Sequence, residues 1–288
     1  MSEQQPIKIQ VAPQNPVQYL ACCGVFEIVS RFDATATSRW ITHPHPEFAM
    51  ESLIDEGSLL SCLVRTFTDS TYWNRSPTDS ETVNRLDVSL ALNGEYRALC
   101  LDWWYETLDW EGDIKEKSAW KMYAGQQTAD GIIQDMVRIA KEIADTARLR
   151  TVADLIEQSQ GMTGRFGFDP RSSRNALDAG FSANDLKRSI PTYPFAELLA
   201  IIGAQHFFPH RTRQTGGNES TRGWVERNVF QYGLWTIPLA IPLARVAASC
   251  AAFDDETSVV PMRSLRASRD KYSNLTMASR ATLRRQKK

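Results

Sequence analysis

The stretch that anchors the predicted core is NPVQYLACCGVFEIVSRF, at residues 15–32. Asparagine followed by proline supplies an N-cap and a first-turn proline, so we predict a helix from Pro16 to Phe32. This helix is apolar nearly all round, a pattern typical of a helix buried on every side. Gly24 lies in its middle, where glycine lowers helix stability unless another backbone packs closely against it. We therefore expect this helix in the core, in close contact with a second element.

Outward from this helix, strand and helix patterns are mixed without the regular alternation of a parallel sheet. The clearest strand signal is the alternation of residues 86–92 into Asn93-Gly94, a type I′ turn, and back through residues 96–104. Apolar periodicity predicts further helices over residues 49–67, 128–150 and 194–208, and strands over 7–11, 39–42 and 229–248, the last interrupted by proline. We predict an α+β fold with mixed, mostly antiparallel sheets, packed helices and a basic C-terminal tail.

Charge is distributed unevenly along the 288 residues. The net charge is −1, yet residues 263–288 hold nine basic side chains and one acid, so this segment carries +8 and the rest of the chain −9. A basic segment of this kind is typical of an arm that binds a polyanion. We predict one globular region over residues 1–262, with a sub-boundary near residues 150–160 as an alternative, and a flexible basic tail over residues 263–288.

Cysteine usage and the absence of targeting signals predict a cytoplasmic protein. The five cysteines are odd in number and lie mostly in apolar runs, so they are interpreted as small buried hydrophobes in a reducing compartment. Residues 1–10 contain neither a basic start nor an apolar stretch, and we expect no secretory signal. The most membrane-like stretch, residues 232–253, contains Pro238, Pro242 and Arg245, so we expect no membrane span.

Motifs for enzymatic chemistry are missing from the sequence. It has no nucleophile elbow, no phosphate-binding loop and no dinucleotide fingerprint, and we expect no catalytic residue, no metal and no cofactor. His206 and His210 are four residues apart, but Pro209 interrupts a helix between them. A metal-dependent nuclease is the enzymatic alternative, with Asp102, Asp169 and Asp178 as ligands.

Residues 119–128, AWKMYAGQQT, form the first segment with the character of a nucleic-acid contact. A cation, two aromatic rings and two amides directly precede a predicted helix N-terminus, where free backbone N–H groups attract phosphate. Lys121, Gln126 and Gln127 are the candidate contacts, and the glutamines also have the donors and acceptors to bond base edges. The alternative is an ordinary capped helix with Trp120 in the core.

Residues 164–174, GRFGFDPRSSR, form the second segment. Arginines neutralise phosphate, glycines allow close approach of the backbone, and the two phenylalanines could stack on unpaired bases. Arg165, Arg171 and Arg174 are the candidate contacts. In the alternative interpretation the phenylalanines fix the loop to the core and the arginines pair with Asp169 and Asp178.

Four stretches together resemble a known family: NPVQYLACCGVFEI at residues 15–28, DWW at 102–104, WKMYAGQQT at 120–128 and FDPRSSRNALDAGFSANDLK at 168–187. They are similar to the short Cas proteins of subtype I-U, also called I-G, CRISPR systems, which are taken to be that subtype's version of the Cascade large subunit. The resemblance covers the first two thirds of the chain.

The resemblance implies a non-catalytic part in RNA-guided DNA interference. Such a subunit lies at the 5′ end of the guide, helps to recognise the protospacer-adjacent motif and stabilises the R-loop, while guide pairing supplies most of the sequence information. The implied partners are guide CRISPR RNA, target double-stranded DNA, the other Cascade subunits and a recruited helicase-nuclease. The nucleic-acid-binding candidates are Lys121, Gln126, Gln127, Arg165, Arg171, Arg174, Lys187, Arg280, Arg284 and Arg285.

The chain departs from this family pattern after residue 225. Large subunits of better-described subtypes are much longer and often end in a helical bundle, whereas apparent strands and a basic segment follow here. Separate small subunits are then an open alternative for stabilising the displaced strand. A second alternative is a structural bridge, whose tryptophan-rich surfaces bind protein partners only.

Overall fold

The computed structural model of this chain describes residues 5–76, 85–101, 107–108, 114–115, 120, 122–123, 127–172, 189–207, 212–213, 219–220, 223–226, 228–250, 258–269 and 272–281. Within these residues every pair of hydrogen-bonded strands is antiparallel. Helices and sheets share one hydrophobic core. The fold class is α+β, as predicted.

The described part of the chain contains the helices α1 (Pro16–Phe32), α2 (Glu56–Thr68), α3 (Ala129–Thr146), α4 (Val152–Ile156), α5 (Pro194–Gly203) and α6 (Ile241–Ala248). Short 3-10 turns lie at Ser70–Tyr72, Pro170–Ser172 and Ala204–Phe207. The bounds of α1 are the predicted ones. Its N-cap is Asn15, whose side chain accepts a hydrogen bond from the backbone N–H of Val17 at 3.1 Å.

Two larger sheets organise the core. The first has the order β1 (Ile7–Gln10), β3 (Glu47–Glu51), β2 (Thr37–Ile41) and β15 (Leu239–Ala240). The second has the order β13 (Trp224–Glu226), β14 (Val229–Trp235), β16 (Val259–Arg269) and β17 (Tyr272–Leu275), and β18 (Ser279–Arg280) also pairs with β16.

A three-stranded sheet consists of β4 (Trp73–Ser76), β5 (Arg85–Leu92) and β6 (Glu95–Leu101). The predicted hairpin is its β5–β6 pair, with positive φ at Asn93 (48°) and Gly94 (85°), as a type I′ turn requires. Two-stranded pairs are formed by β7 (Thr107–Leu108) with β8 (Ile114–Lys115), β9 (Gln160–Met162) with β10 (Ile190–Thr192), and β11 (Thr212–Arg213) with β12 (Glu219–Ser220).

Helices α1 and α5 cross at two glycines. A Cβ atom on Gly24 would overlap the carbonyl oxygen of Leu199, and one on Gly203 would overlap the carbonyl oxygen of Leu20. The second Cβ would also lie 2.7 Å from the backbone nitrogen of Gly24. The two backbones are therefore in direct contact, which confirms the expectation for Gly24 and identifies its partner.

Tyr19 on α1 connects the helix pair to both larger sheets. Its ring lies 5.3 Å from that of Trp40 on β2 and 4.2 Å from that of Tyr232 on β14. Its hydroxyl donates to the carbonyl of Gly233 at 3.0 Å. Trp235, the last residue of β14, donates from its indole nitrogen to the carbonyl of Ser38 at 2.9 Å. These buried contacts fix the position of the second sheet relative to α1.

The predicted flexible tail is wrong for residues 263–269 and 272–281. Residues 263–265 pair with β14 and residues 266–269 pair with β17, so the basic segment supplies an inner strand of the second sheet. Met262 and Ser264, at alternate positions, are buried, and Met262 belongs to the hydrophobic core. The arginines of this segment led to the prediction of a tail, although the segment forms a strand. Residues 282–288 lie outside the described residues.

Two further predictions of secondary structure need correction. Residues 241–248 form a helix instead of a strand, because Pro242 lies in the first turn, where a missing N–H costs nothing. The helix predicted from residue 49 begins at Glu56; residues 47–51 form β3 between β1 and β2, and Asp55 is the N-cap of α2.

The predicted sub-boundary near residues 150–160 falls within packed structure. Val152, Leu155 and Ile156 of α4 are fully buried in the same core as α1. The backbone N–H of Val152 donates to the carboxylate of Glu56 at 3.0 Å, and Gln18 donates to Glu157. Among the described residues, no helix is long and apolar enough to cross a membrane.

The glycine crossing predicts the cost of a single methyl group. Gly203→Ala should lower the free energy of unfolding by about 3 kcal/mol, because backbone atoms of α1 cannot move aside as a flexible side chain can. Denaturant titration measures the change. The matched control is Gly57→Ala at an exposed position of α2, which should change stability by no more than about 0.5 kcal/mol. Equal stability of the two variants would contradict the proposed contact.

Candidate nucleic-acid interface

The C-terminal hairpin consists of β16, β17 and β18. The strand that returns along β16 is interrupted at residues 276–278, so that β17 pairs with residues 266–269 and β18 with residues 262–263. Thr276 connects this interrupted segment to β16. Its backbone N–H donates to the carbonyl of Leu265 at 2.9 Å, and its hydroxyl accepts from the N–H of Leu265 at 3.0 Å. The N–H of Ala278 donates to the carbonyl of Gln14, just before α1.

Both segments that the sequence analysis associated with nucleic acid attach to this hairpin. The backbone N–H of Ser273 donates to the carbonyl of Met122 at 2.9 Å, and that of Leu275 donates to the carbonyl of Gly167 at 3.0 Å. Gly167 has a φ of 90°, and a Cβ there would lie 2.5 Å from the carbonyl oxygen of Ser273. Only glycine therefore fits this junction. The fold brings together three segments that are far apart in sequence.

The second sheet carries an excess of positive charge. Its five strands contain four arginines (Arg263, Arg266, Arg269, Arg280) and one acid, Glu226. Arg280 is exposed, and Arg263 and Arg266 are partly exposed. The sequence of these five strands therefore has a formal charge of +3.

Four of the predicted contacts lie among the described residues, and one of these four is on the hairpin. Arg280 is on β18. Gln127 is partly buried and directly precedes Thr128, the N-cap of α3; its amide nitrogen lies 3.7 Å from where Gly164 would carry a Cβ. Arg165 is partly buried, near enough to Glu197 to lower the pKa of that carboxyl. Arg171 belongs to an internal ion pair, described below. Lys121, Gln126, Arg174, Lys187, Arg284 and Arg285 lie outside the described residues.

The aromatic side chains of both segments are core residues. Phe166 and Phe168 are fully buried, and Trp120 is 1% exposed. The ring of Trp120 lies 5.7 Å from that of Phe168 and 4.9 Å from that of Phe230 on β14. The proposal that Phe166 and Phe168 stack on unpaired bases is therefore wrong. Burial of these rings removes apolar surface from water and so stabilises the fold. It also holds both segments against the sheet.

Asp169 is fully buried, and its carboxylate forms an ion pair with Arg171. Arg171 donates to it from Nε at 3.1 Å and from Nη2 at 2.8 Å, and Asn15 donates from its amide at 3.2 Å. Arg171 also donates to Glu157 at 2.7 Å, and its guanidinium lies 3.5 Å from the centre of the Tyr193 ring. The alternative predicted for this loop, an internal ion pair, is what the structure has at Arg171.

Glu197 on α5 is buried beside this ion pair. The backbone N–H of Asp169 donates to its Oε1 at 3.3 Å, while its Oε2 has no hydrogen-bond partner. Burial raises the pKa of Glu197, the charge of Asp169 raises it further, and the N–H of Asp169 and the charge of Arg165 lower it in part; the result is about 8. Glu197 is therefore mostly protonated at neutral pH, so the core around Asp169 does not hold a second negative charge.

A nuclease centre receives no support from the described residues. Asp169 is engaged by Arg171 and Asn15, and Asp102 and Asp178 lie outside the described residues. No group of three potential metal ligands occurs in the described part of the chain. His206 is fully buried, with Nδ1 3.2 Å from Glu27, a carboxylate that Arg245 grips from Nε at 2.8 Å and from Nη2 at 2.6 Å. His210 is outside the described residues.

The described tryptophans do not form a surface for protein partners. Five of them are at most 4% exposed: Trp40, Trp73, Trp120, Trp224 and Trp235. A structural bridge through exposed tryptophans is therefore contradicted for these five residues.

Comparisons of the chain with family models, with curated proteins and with solved structures found no match.

Two residues of the candidate interface, Arg263 and Gln231, were not predicted as contacts. Arg263 was counted only as part of the basic tail, and Gln231 was not considered. Their cross-strand pairing joins residues 32 positions apart. The apolar run at residues 259–262, directly before Arg263, is the signal that would have indicated a strand.

Arg171→Ala tests the internal ion pair. Loss of the guanidinium leaves Asp169 buried without its cation, so the free energy of unfolding should fall by roughly 3 kcal/mol. The salt dependence of nucleic-acid binding should stay unchanged, because no phosphate contact is lost. Arg138→Ala, which breaks only an exposed pair with Glu142, is the control for stability. A shallower salt dependence with unchanged stability would instead make Arg171 a phosphate contact.

Glu197→Gln tests the buried proton. The pKa of Glu197 is raised in the folded state, so its contribution to stability is complete below pH 4.5 and is lost as the pH rises through about 8. Between these values the free energy of unfolding should fall by on the order of 1 kcal/mol per pH unit. Denaturant titrations across this range should show a flatter profile for Glu197→Gln than for the wild type or for exposed Glu142→Gln. Parallel profiles for all three proteins would exclude a protonated Glu197.

Proposed function

We propose that this chain is a non-catalytic, nucleic-acid-binding subunit of a type I CRISPR Cascade complex. It contributes to recognition of target DNA and its protospacer-adjacent motif and to stabilisation of the R-loop. The guide RNA supplies the sequence information, and a recruited helicase-nuclease cuts the DNA. The sequence resemblance to short subtype I-U/I-G Cas proteins supports this assignment.

The observation that carries the proposal is the meeting of three segments at the C-terminal hairpin. Met122 and Gly167 accept backbone hydrogen bonds from Ser273 and Leu275 of β17, which pairs with β16. Met122 belongs to a stretch that resembles the Cas proteins, and Gly167 directly precedes another such stretch, which begins at Phe168. The strands β16 to β18 supply all four arginines of the second sheet.

A sheet suits contact with a nucleic-acid backbone. Phosphate contacts fix register and orientation without reading sequence, and a sheet holds the backbone of the arginines at fixed spacings. This matches a subunit that positions DNA while guide pairing selects it. In this proposal the folded hairpin provides the polyanion-binding surface.

Affinity purification tests the class of function. The tagged full chain is purified from its source cells, and the material is divided into RNase-treated and untreated portions for RNA sequencing and mass identification. We expect short repeat-derived RNA and other Cascade subunits in the untreated portion. Absence of such RNA would contradict the proposal.

A charge-reversal pair tests the surface itself. Arg266→Glu with Arg280→Glu should weaken binding of DNA by the purified assembly and make it less salt-dependent, since repulsion replaces attraction to phosphate. Arg138→Glu on α3 with Arg148→Glu just after that helix, both at exposed positions, changes the net charge equally and should have little effect. Equal DNA affinity for both pairs, with all protein partners retained, would favour a structural bridge.

A further inference from the structure

Arg263 on β16 is held in place by a neutral side chain. It lies directly opposite Gln231 on β14, and its Nε donates to Oε1 of Gln231 at 2.8 Å. Gln231 is only 9% exposed. Its buried amide therefore has little freedom to move, and it orients the guanidinium in turn.

This arrangement differs from that of other arginines in the described part of the chain. Arg97, Arg138, Arg171 and Arg245 each pair with a carboxylate that cancels their charge. Within the described residues Arg263 forms no ion pair, and its contact is an uncharged amide. Arg263 thus combines a fixed orientation with an uncompensated positive charge.

We propose that Arg263 is a preorganised phosphate-binding arginine and that Gln231 is its positioning residue. With Nε occupied by Gln231, the two terminal nitrogens remain as a fork, which matches two oxygens of one phosphate. The ligand is a phosphate of the nucleic-acid backbone. The assignment rests on the proposed function, and it names the group of the partner that Arg263 binds, on the face of the sheet opposite to Arg266 and Arg280.

Ser279 extends the same row of side chains. It lies opposite Arg263 on β18, on the other side from Gln231, and it is exposed. Directly opposite residues of antiparallel strands project from the same face of a sheet. A hydroxyl donor therefore accompanies the guanidinium fork, and both suit a phosphate oxygen.

The proposal is tested with the full chain, a short DNA duplex of mixed sequence and a salt series followed by fluorescence anisotropy. Arg263→Ala should weaken binding at low salt and reduce the salt slope by about one unit, because one phosphate contact is lost. Arg263→Lys keeps the charge but lacks the fork, so the slope should remain while affinity falls by about fivefold.

Gln231→Leu separates positioning from charge. The guanidinium then keeps its charge but loses its anchor, so we expect an unchanged slope and about fivefold weaker binding. In the Arg263→Ala background the same change should have no further effect, since the residues act together. Arg138→Ala, the matched loss of an exposed arginine, should bind like the wild type. Melting temperatures confirm that each variant is folded.

The outcomes distinguish this proposal from the proposed function. If the wild type binds DNA and Arg263→Ala keeps the same slope as Arg138→Ala, the phosphate site is wrong and the proposed function stands. If Gln231→Leu weakens binding equally with and without Arg263, Gln231 acts separately and its positioning role is wrong. If the wild type shows no salt-dependent binding to DNA or to single-stranded RNA, the proposed function fails.

Discussion

The contact between the backbones of α1 and α5 is the constraint on which the rest of the structure depends. Without side chains at Gly24 and Gly203 the two helices approach until their backbone atoms touch. Two polar clusters depend on this approach. Asn15, which caps α1, and Glu197 in the first turn of α5 both contact Asp169. Further along, Glu27 of α1 meets His206, which follows α5. The pKa of Glu27 falls to about 2, because bonds and charges from His206 and Arg245 outweigh burial.

Sequence patterns were sufficient wherever the determinants are local. The N-cap and proline of α1, the alternation of β5 and β6 and the Asn93-Gly94 turn each depend on neighbouring residues, and each is found as predicted. Gly24 indicated a close partner, but the identity of Gly203, 179 positions away, is a property of the tertiary fold. The strand β16 was missed because its arginines were assigned to a solvated tail. β16 pairs with β14, which comes much earlier in the sequence, so no local pattern indicates this pairing.

The candidate interface was predictable in its location and less so in its chemistry. Two segments were identified from composition, and the fold brings both to β17. Their phenylalanines are buried, because burial of apolar surface stabilises the fold. Arg171 forms an ion pair with the buried Asp169. Arg165, Gln127 and Arg280 remain predictions. Composition does not show whether the charge of an arginine is balanced by a nearby carboxylate. That depends on the tertiary fold: Arg263 has the neutral amide of Gln231 opposite it on the neighbouring strand.

The place of β16 in the second sheet also has a consequence for biosynthesis. Tyr232 bonds to the carbonyl of Pro13, and the neighbouring Gln14 accepts from Ala278, so the region before α1 is closed by residues about 220 and 264 positions later. During translation β14 leaves the ribosome before its partner strand exists, and its buried aromatic residues have no sheet to complete. The core and the basic surface must then mature in one step. A chain truncated before residue 259 would expose an unpaired strand edge and be a substrate for chaperones or proteases.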